Sequence, residues 1–370
     1  MARRILGNLL CEDDFRRLLR PGRRFTPPGE VQGAVSGAAT LLRVFARERD
    51  YLWTPAPVDP ERLADVPGLP RTILESGPVE DLPAVSETLA WGASFEIPPP
   101  SPVRADLALH DLLWTVPLAS PSVAVTVNHR AFALKVAEEI GCALPGARMV
   151  ASVPDLRSVA QGSWVLKAPL SAAGRDRHIE RDGRGLADPA VLKRLENLFA
   201  RHGPLLFEPW MDRTEDFGVS ALLLPEETQI LGLHRLLVDR KGQFTGIELG
   251  LEDGPDRDRL EETVQVVARF LRQAGYLGPF GIDGWRYRMP DGSVTLNPLG
   301  EINARMTFGL VAKVLAERLG LDDKVRLLFG KEIPTGDHVV PLLLPWSKGG
   351  GAWLEQSSTR TAFPRRDSSG

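Results

Sequence analysis

The segment GEINARMTFG places Glu301, Asn303 and Arg305 at alternate positions. In a strand, residues two apart share a face, so this spacing sets a carboxylate, an amide and a guanidinium side by side while Ile302 and Ala304 turn into packing. Upstream, FGIDGWRY carries Asp283, and the intervening MPDGS is a hairpin signal that pairs the two segments, with Asp283 across from Glu301 and Asn303. Two carboxylates and an amide oxygen at a strand end suit a hard cation such as Mg²⁺, whose remaining positions go to waters and substrate phosphates. A hydrogen-bonded polar pair at a sheet rim reads the same residues equally well.

Only eight of the 45 basic residues are lysine, so Lys167 inside the apolar segment WVLKAPL stands out. Alternation puts it on the face of Val165. A buried ammonium needs an anion, because desolvating an isolated charge is costly. A nucleotide phosphate would serve; a lysine snorkelling from a strand end is the plainer reading. The SAAGRDR that follows is a turn whose N–H groups could cover phosphates, although Gly174 is its one glycine. Glu208 in LFEPWM and Glu215 in RTEDF flank a connection with the exposed backbone edge that adenine requires. Pro209 has no N–H, so a backbone donor to adenine comes from Trp210 or Met211, with Glu215 at the ribose hydroxyls. Two solvated acids beside a turn is the alternative. Arg130, in VNHRAF, opens a helix, where a guanidinium and helix N–H groups together favour a phosphate; its other reading is a surface arginine.

These residues need strands and helices to hold them. Residues 1–120 alternate short apolar pieces with prolines: RRILGNLL, RDYLWTP and ETLAWGASF read as strands, residues 30–49 as a helix, and IPPPSPVRAD as a loop. This suggests a small α/β domain. SVAVTVN then reads as a strand ending in Asn128 as helix N-cap, followed by the helix HRAFALKVAEEIG. Strands at ARMVAS, GSWVLKAPL and GPLLFEPWM are separated by the helices PDLRSVA and DPAVLKRLENLFARHG. DFGVSALLL, TQILGLHRLLVD and FTGIELG read as antiparallel strands, residues 256–274 as an amphipathic helix, and FGLVAKVLAERLG as a final helix after the hairpin. The strand-rich pieces with helices on one side predict an α+β protein, with residues 346–370 a flexible tail.

Composition narrows the function. The 370 residues carry a formal net charge of -3, with 43% hydrophobic and 25% charged residues, and no long single-sign run. That gives no polyanion-binding surface, and no apolar run approaches the ~20 residues of a membrane span. Two cysteines make neither a disulfide framework nor a structural zinc site. MARRILGNLLCEDDF reads as a first strand rather than a signal peptide, so a cytoplasmic enzyme without nucleic-acid or membrane partners is expected.

The ordered series NHRAFALKVAEEIG, WVLKAPLSAAGR, LFEPWMDRTE, GIDGWRY and GEINAR resembles the ATP-grasp superfamily over about residues 120–330. The resemblance implies an N-terminal α/β domain (1–120) before a two-subdomain ATP-grasp fold (121–203 and 204–335). It implies ATP and one or two Mg²⁺ ions, or Mn²⁺ in their place, held by Asp283, Glu301 and Asn303. Lys167 and Arg130 would contact the α- and β-phosphates, and Arg305 the transferred phosphate or acyl phosphate. Val165 and Leu299 would sandwich adenine, with Glu208, Trp210 and Met211 on its edge and Glu215 on ribose. The implied reaction activates a carboxylate as an acyl phosphate for attack by an amine; substrates would be small molecules, and a homodimer is compatible. Departures from the pattern are arginine at position 130, where lysine is common, the glycine-poor loop and Pro209-Trp210 in the hinge. A small-molecule kinase and a catalytically degenerate nucleotide-binding module are the alternatives. Acceptor-site candidates are His234, Arg235, Arg175, Arg177 and Trp285, although His234 reads more simply as a structural strand residue and Trp285 as packing.

Overall fold

A computed structural model describes residues 2–21, 28–97, 104, 106–171, 174–183, 185–239, 243–251, 254–321, 324–345 and 350–356. The N-terminal part is a parallel sheet of β1 (Arg3–Leu6), β2 (Tyr51–Trp53), β3 (Ile73–Glu75) and β4 (Glu87–Ala90), ordered β3-β2-β1-β4. Ile5, Leu52 and Leu89 are buried on it beneath Phe15 of α1 (Cys11–Leu19) and the segment after α2 (Gly29–Ala39). The helix expected over 30–49 ends at Ala39 and tightens into a 3₁₀ helix, Thr40–Phe45. A helical turn, α3 (Leu109–Leu112), leads out; most of the proline-rich loop lies outside the described residues.

SVAVTVN is not a strand. It forms helix α4 (Pro121–Asn128), because Ser120 caps it by accepting from the Val123 N–H and Pro121 starts the first turn, signals that outweigh the β-propensity of its valines. Nor is Asn128 the next cap: His129 Nδ1 accepts from Ala131 N–H to start α5 (Arg130–Glu139). Asn128 instead exchanges hydrogen bonds with the backbone of Ala304, 2.9 and 3.2 Å.

A four-stranded antiparallel sheet follows: β5 (Arg148–Val150), β6 (Trp164–Lys167), β7 (Arg177–Glu180) and β8 (Leu205–Pro209), in the order β5-β8-β6-β7. Trp164, Leu166 and Phe207 pack against Leu156 of α6 (Val153–Val159) and Leu195 of α7 (Pro189–His202). Alternation then turns Val165, Lys167 and Glu208 to the opposite face.

The largest sheet holds β9 (Asp212–Leu223), β10 (Thr228–Val238), β11 (Phe244–Leu249), β12 (Gly278–Arg288), β13 (Val294–Asn303), β14 (Val325–Gly330), β15 (Val339–Leu343) and β16 (Gly351–Gln356). Its order is β13-β12-β9-β10-β11-β14-β16-β15. Helix α8 (Pro255–Gln273) packs on one face through Leu260, Val264 and Val267, against Phe217, Val219 and Ile282. Helix α9 (Phe308–Arg318) packs on the other, in the core shared with the N-terminal sheet, so the helices do not lie on one side as expected. The expected flexible tail is also corrected: residues 351–356 are a nearly fully buried strand paired on both sides, because Ala352 and Leu354 complete the core above α9. Residues 346–349 and 357–370 lie outside the described residues. The architecture is α+β. Among the described residues, no helix is long and apolar enough to cross a membrane.

Candidate active site

The β12–β13 hairpin sets Asp283 directly opposite Glu301 and Gly281 opposite Asn303. Asn303 Nδ2 donates to Asp283 Oδ2 at 3.3 Å. Burial, and then the charge of Glu301, push the Asp283 carboxyl up to about 7. Two carboxylates forced together away from water are the electrostatic condition that a bound cation relieves. Among the described residues no three His, Cys, Asp or Glu side chains cluster as metal ligands, so the donor set is two carboxylates and the Asn303 amide. That set fits Mg²⁺, which needs few protein ligands.

Glu301 and Asn303 are both held by arginines. Arg130 Nη2 donates to both Glu301 oxygens at 3.0 Å, and its Nη1 donates to Ala168 O and Ser171 Oγ at 2.6 and 2.9 Å. One guanidinium thus ties the start of α5 to β13 and to the turn after β6. Arg305 donates from Nη2 to Asn303 Oδ1 at 2.9 Å and from Nε to Glu12 Oε1 at 2.7 Å. Burial disfavours the Arg305 charge, but Glu12 outweighs it and holds the guanidinium protonated. Glu12 belongs to α1, so the N-terminal part of the chain contributes a carboxylate to this site. Arg175 donates to Asp13 of the same helix at 3.1 Å, and Arg16 to Asp176 at 2.8 Å, which brings α1 against the turn after β6. Residues 172 and 173 of that turn lie outside the described residues.

Lys167 faces this constellation from β6. Its Nζ is ion-paired with Glu208 on β8, and burial pulls its pKa down, Glu208 opposing and Arg213 and Arg130 adding to the fall. The same two arginines, after burial, lower Arg177. Arg130, Lys167, Arg177 and Arg213 therefore lie close together in one cleft, whose anions include Glu208, the Glu301–Asp283 pair, Glu12 and Asp216. Val165, 3% exposed, lies in register with Glu208 on the cleft side of β6.

The structure does not bring every expected residue to the cleft. Asp283 pairs with Glu301 but Trp285 pairs with Asn297, so β13 is bulged between them. The bulge turns Leu299 into the core with Leu260 and Ile302, and what stands over Gly300 on the cleft side is Trp285. Glu215 lies on the α8 face with Phe217, where Arg286 holds it at 2.9 Å and Arg235 at 3.6 Å. That is the face opposite to Asp283 and Trp285. Trp210 N–H already donates to Ser163 O, leaving Met211 N–H as the expected donor without a backbone partner among the described residues. His234 is buried between Gly218 and Gly309, its Nδ1 without a hydrogen bond. Arg213 and Glu12 went unnoticed in the sequence: Arg213 is one arginine among many, and Glu12 lies 293 residues from Arg305.

No protein-family model matches the chain, and no curated protein matches it in sequence. Its fold is shared with solved structures along nearly the whole length. Biotin carboxylase from Campylobacter jejuni, in a β,γ-ATP complex, superposes with a TM-score of 0.55 at 12% identity, covering 97% of this chain and 88% of that one. N5-carboxyaminoimidazole synthetase from Staphylococcus aureus, complexed with ADP, gives 0.54 at 7% identity over 96% and 93%. Phosphoribosylamine–glycine ligase from Thermotoga maritima gives 0.53 at 12% over 96% and 90%. At these identities the likeness is one of fold: the chain has the ATP-grasp fold, N-terminal sheet included.

Proposed function

We propose that this chain is an ATP- and Mg²⁺-dependent ligase that activates a small carboxylate as an acyl phosphate for attack by an amine, as in amino-acid or peptide ligation. The observation that carries the reading is the facing of two charge sets: the Asp283–Glu301–Asn303 oxygens on the hairpin, and Arg130, Lys167 and Arg177 around them. A triphosphate with its metal is the ligand that satisfies both. The bound chains in the structures of like fold, a β,γ-ATP complex and an ADP complex, agree with it.

Asp283, Glu301 and Asn303 would hold the metal, which would supply positive charge beside the phosphate oxygens. Arg130, which holds Glu301, lies where it can face phosphate, and Arg305 does so while held by Glu12. Lys167 and Arg130 neutralise the α- and β-phosphates, and Val165 walls the base. The Met211 N–H is the backbone donor offered to its edge. Arg305, charged under all ordinary conditions, faces the carboxylate oxygen as it takes the γ-phosphoryl group and ADP leaves. The amine nitrogen then bonds to the acyl carbon, and phosphate departs with the C–O bond electrons. No side-chain nucleophile is required; stabilisation of charge on the moving phosphoryl group is the whole of the catalytic task. The reading places the enzyme among small-molecule reactions of the cytoplasm.

A screen of amino acids and small carboxylates with MgATP tests it. ADP and phosphate should appear only with a competent pair. Release of AMP and pyrophosphate would mean adenylate chemistry and would refute the acyl-phosphate reading.

A further inference from the structure

Trp285 is 2% exposed, and its indole N–H has no hydrogen-bond partner. It owes its position to Gly300, where any Cβ would collide with the six-membered ring. Lys167 Nζ lies 5.6 Å from the ring centroid, so the indole sits in the same cleft as the phosphate-facing cations. The guanidinium of Arg213 covers the ring, with Cζ 3.6 Å from the centroid. At that distance the guanidinium is in van der Waals contact with the ring, a cation–π contact.

The cover is loosely attached. Among the described residues the Arg213 side chain makes one hydrogen bond, to Asp216 at 3.1 Å, three residues along the same strand, and it is 33% exposed. It stands at the beginning of β9, just beyond the connection from β8. Other cations of the cleft repel it, since Arg213 lies near enough to Lys167 and Arg177 to disfavour their charges.

From these contacts we infer that Trp285 is the stacking platform for the nucleotide base, and that Arg213 is a displaceable cover occupying the base's place until nucleotide arrives. The inference rests on the nucleotide reading above and adds what the expected Val165–Leu299 pair lacks, a flat aromatic surface on the sheet side of the cleft. A guanidinium in contact with an indole face and a purine stacked on that face exclude one another, so only one can be present. Stacking on an aromatic side chain is worth roughly tenfold or more in affinity. The cation–π contact that the base must displace opposes binding by about threefold to tenfold.

The test is titration of the full chain with MgATP, followed by tryptophan fluorescence and calorimetry, in wild type, Trp285→Ala, Trp285→Phe, Arg213→Ala and Arg213→Met. Arg213→Ala and Arg213→Met should bind MgATP about threefold to tenfold tighter than wild type. Trp285→Ala should bind roughly tenfold weaker. Trp285→Phe should bind nearly as wild type but lose the nucleotide-dependent fluorescence change. Unchanged or weaker binding in the Arg213 variants would overturn the inference, weaker binding marking Arg213 as a phosphate ligand; wild-type affinity in a folded Trp285→Ala would overturn it as well. Should Trp285→Ala fail to fold, the Arg213 pair and Trp285→Phe decide alone. Absence of MgATP binding in every variant, wild type included, would overturn the nucleotide reading and this inference with it.

Discussion

His234 allows a sharp test of how the large sheet is assembled. Its imidazole fills the space left by Gly218 on β9 and Gly309 on α9, and burial pushes its pKa from 6.5 down to about 4. Between those values the unfolded chain binds a proton that the folded chain refuses, so stability falls as pH drops through this window. With one pKa unit equal to about 1.4 kcal/mol, His234 costs almost nothing at pH 7, about 2 kcal/mol at pH 5 and roughly 3 kcal/mol once both states are protonated. Burial lowers His129 and His178 in the same sense, while Asp283, raised to about 7, works the opposite way over the same range. The clean observable is therefore the difference between wild type and His234→Leu, which keeps the volume and removes the titration. Because His234 Nδ1 has no partner to lose, urea denaturation at pH 7 should give similar stabilities. At pH 5 the variant should be the more stable by about 2 kcal/mol. A difference that is the same at both pH values would show that His234 is solvated or hydrogen-bonded, and would refute the packing described here.

Other consequences are as direct. Glu301→Gln and Asn303→Ala should each lower turnover about a hundredfold or more while leaving the far-UV circular dichroism unchanged, since they remove charge stabilisation rather than core volume. Glu12→Ala strands the buried Arg305 guanidinium and should cost about 3 kcal/mol by urea denaturation, with Glu12→Gln milder because an amide oxygen can still accept from Nε. Gly300→Ala should lower the melting temperature through collision with the Trp285 ring, and combining it with Trp285→Leu should recover much of the loss, a non-additivity read from a double-mutant cycle.

The site was legible where local rules carry the geometry. Turn residues in MPDGS close the hairpin, and period-two alternation puts Asp283, Glu301 and Asn303 on one face, but the β13 bulge and not the turn sets Asp283 opposite Glu301. The same alternation correctly turned Val165 and Lys167 together. It failed where the period is broken. The bulge in β13 opposite Asp283 and Trp285 takes Leu299 out of the cleft, leaving Trp285, which alternation places on the Asp283 face, to stand there instead. Glu215 was assigned to ribose from its nearness to Glu208 in sequence, but its strand carries it to the α8 face beside Phe217. SVAVTVN misled because β-branched residues in a short segment say less about conformation than the Ser120-Pro121 start signal before them. Strands β14 to β16 were missed because their pairing is long-range and their flanks are rich in glycine and proline. Glu12 could not be found at all: nothing local marks the first turn of α1 as the counter-charge for an arginine at the far end of β13.

The central claim is that a metal-bearing triphosphate binds between the β12–β13 hairpin and the cations facing it. Calorimetric titration with ATP, in the presence and absence of Mg²⁺, tests it most directly when wild type is set beside Asn303→Ala and Lys167→Met. The account predicts binding that depends on Mg²⁺ in wild type, loses that dependence in Asn303→Ala and weakens at least tenfold in Lys167→Met. ATP affinity that is indifferent to Mg²⁺ and to both substitutions would contradict it.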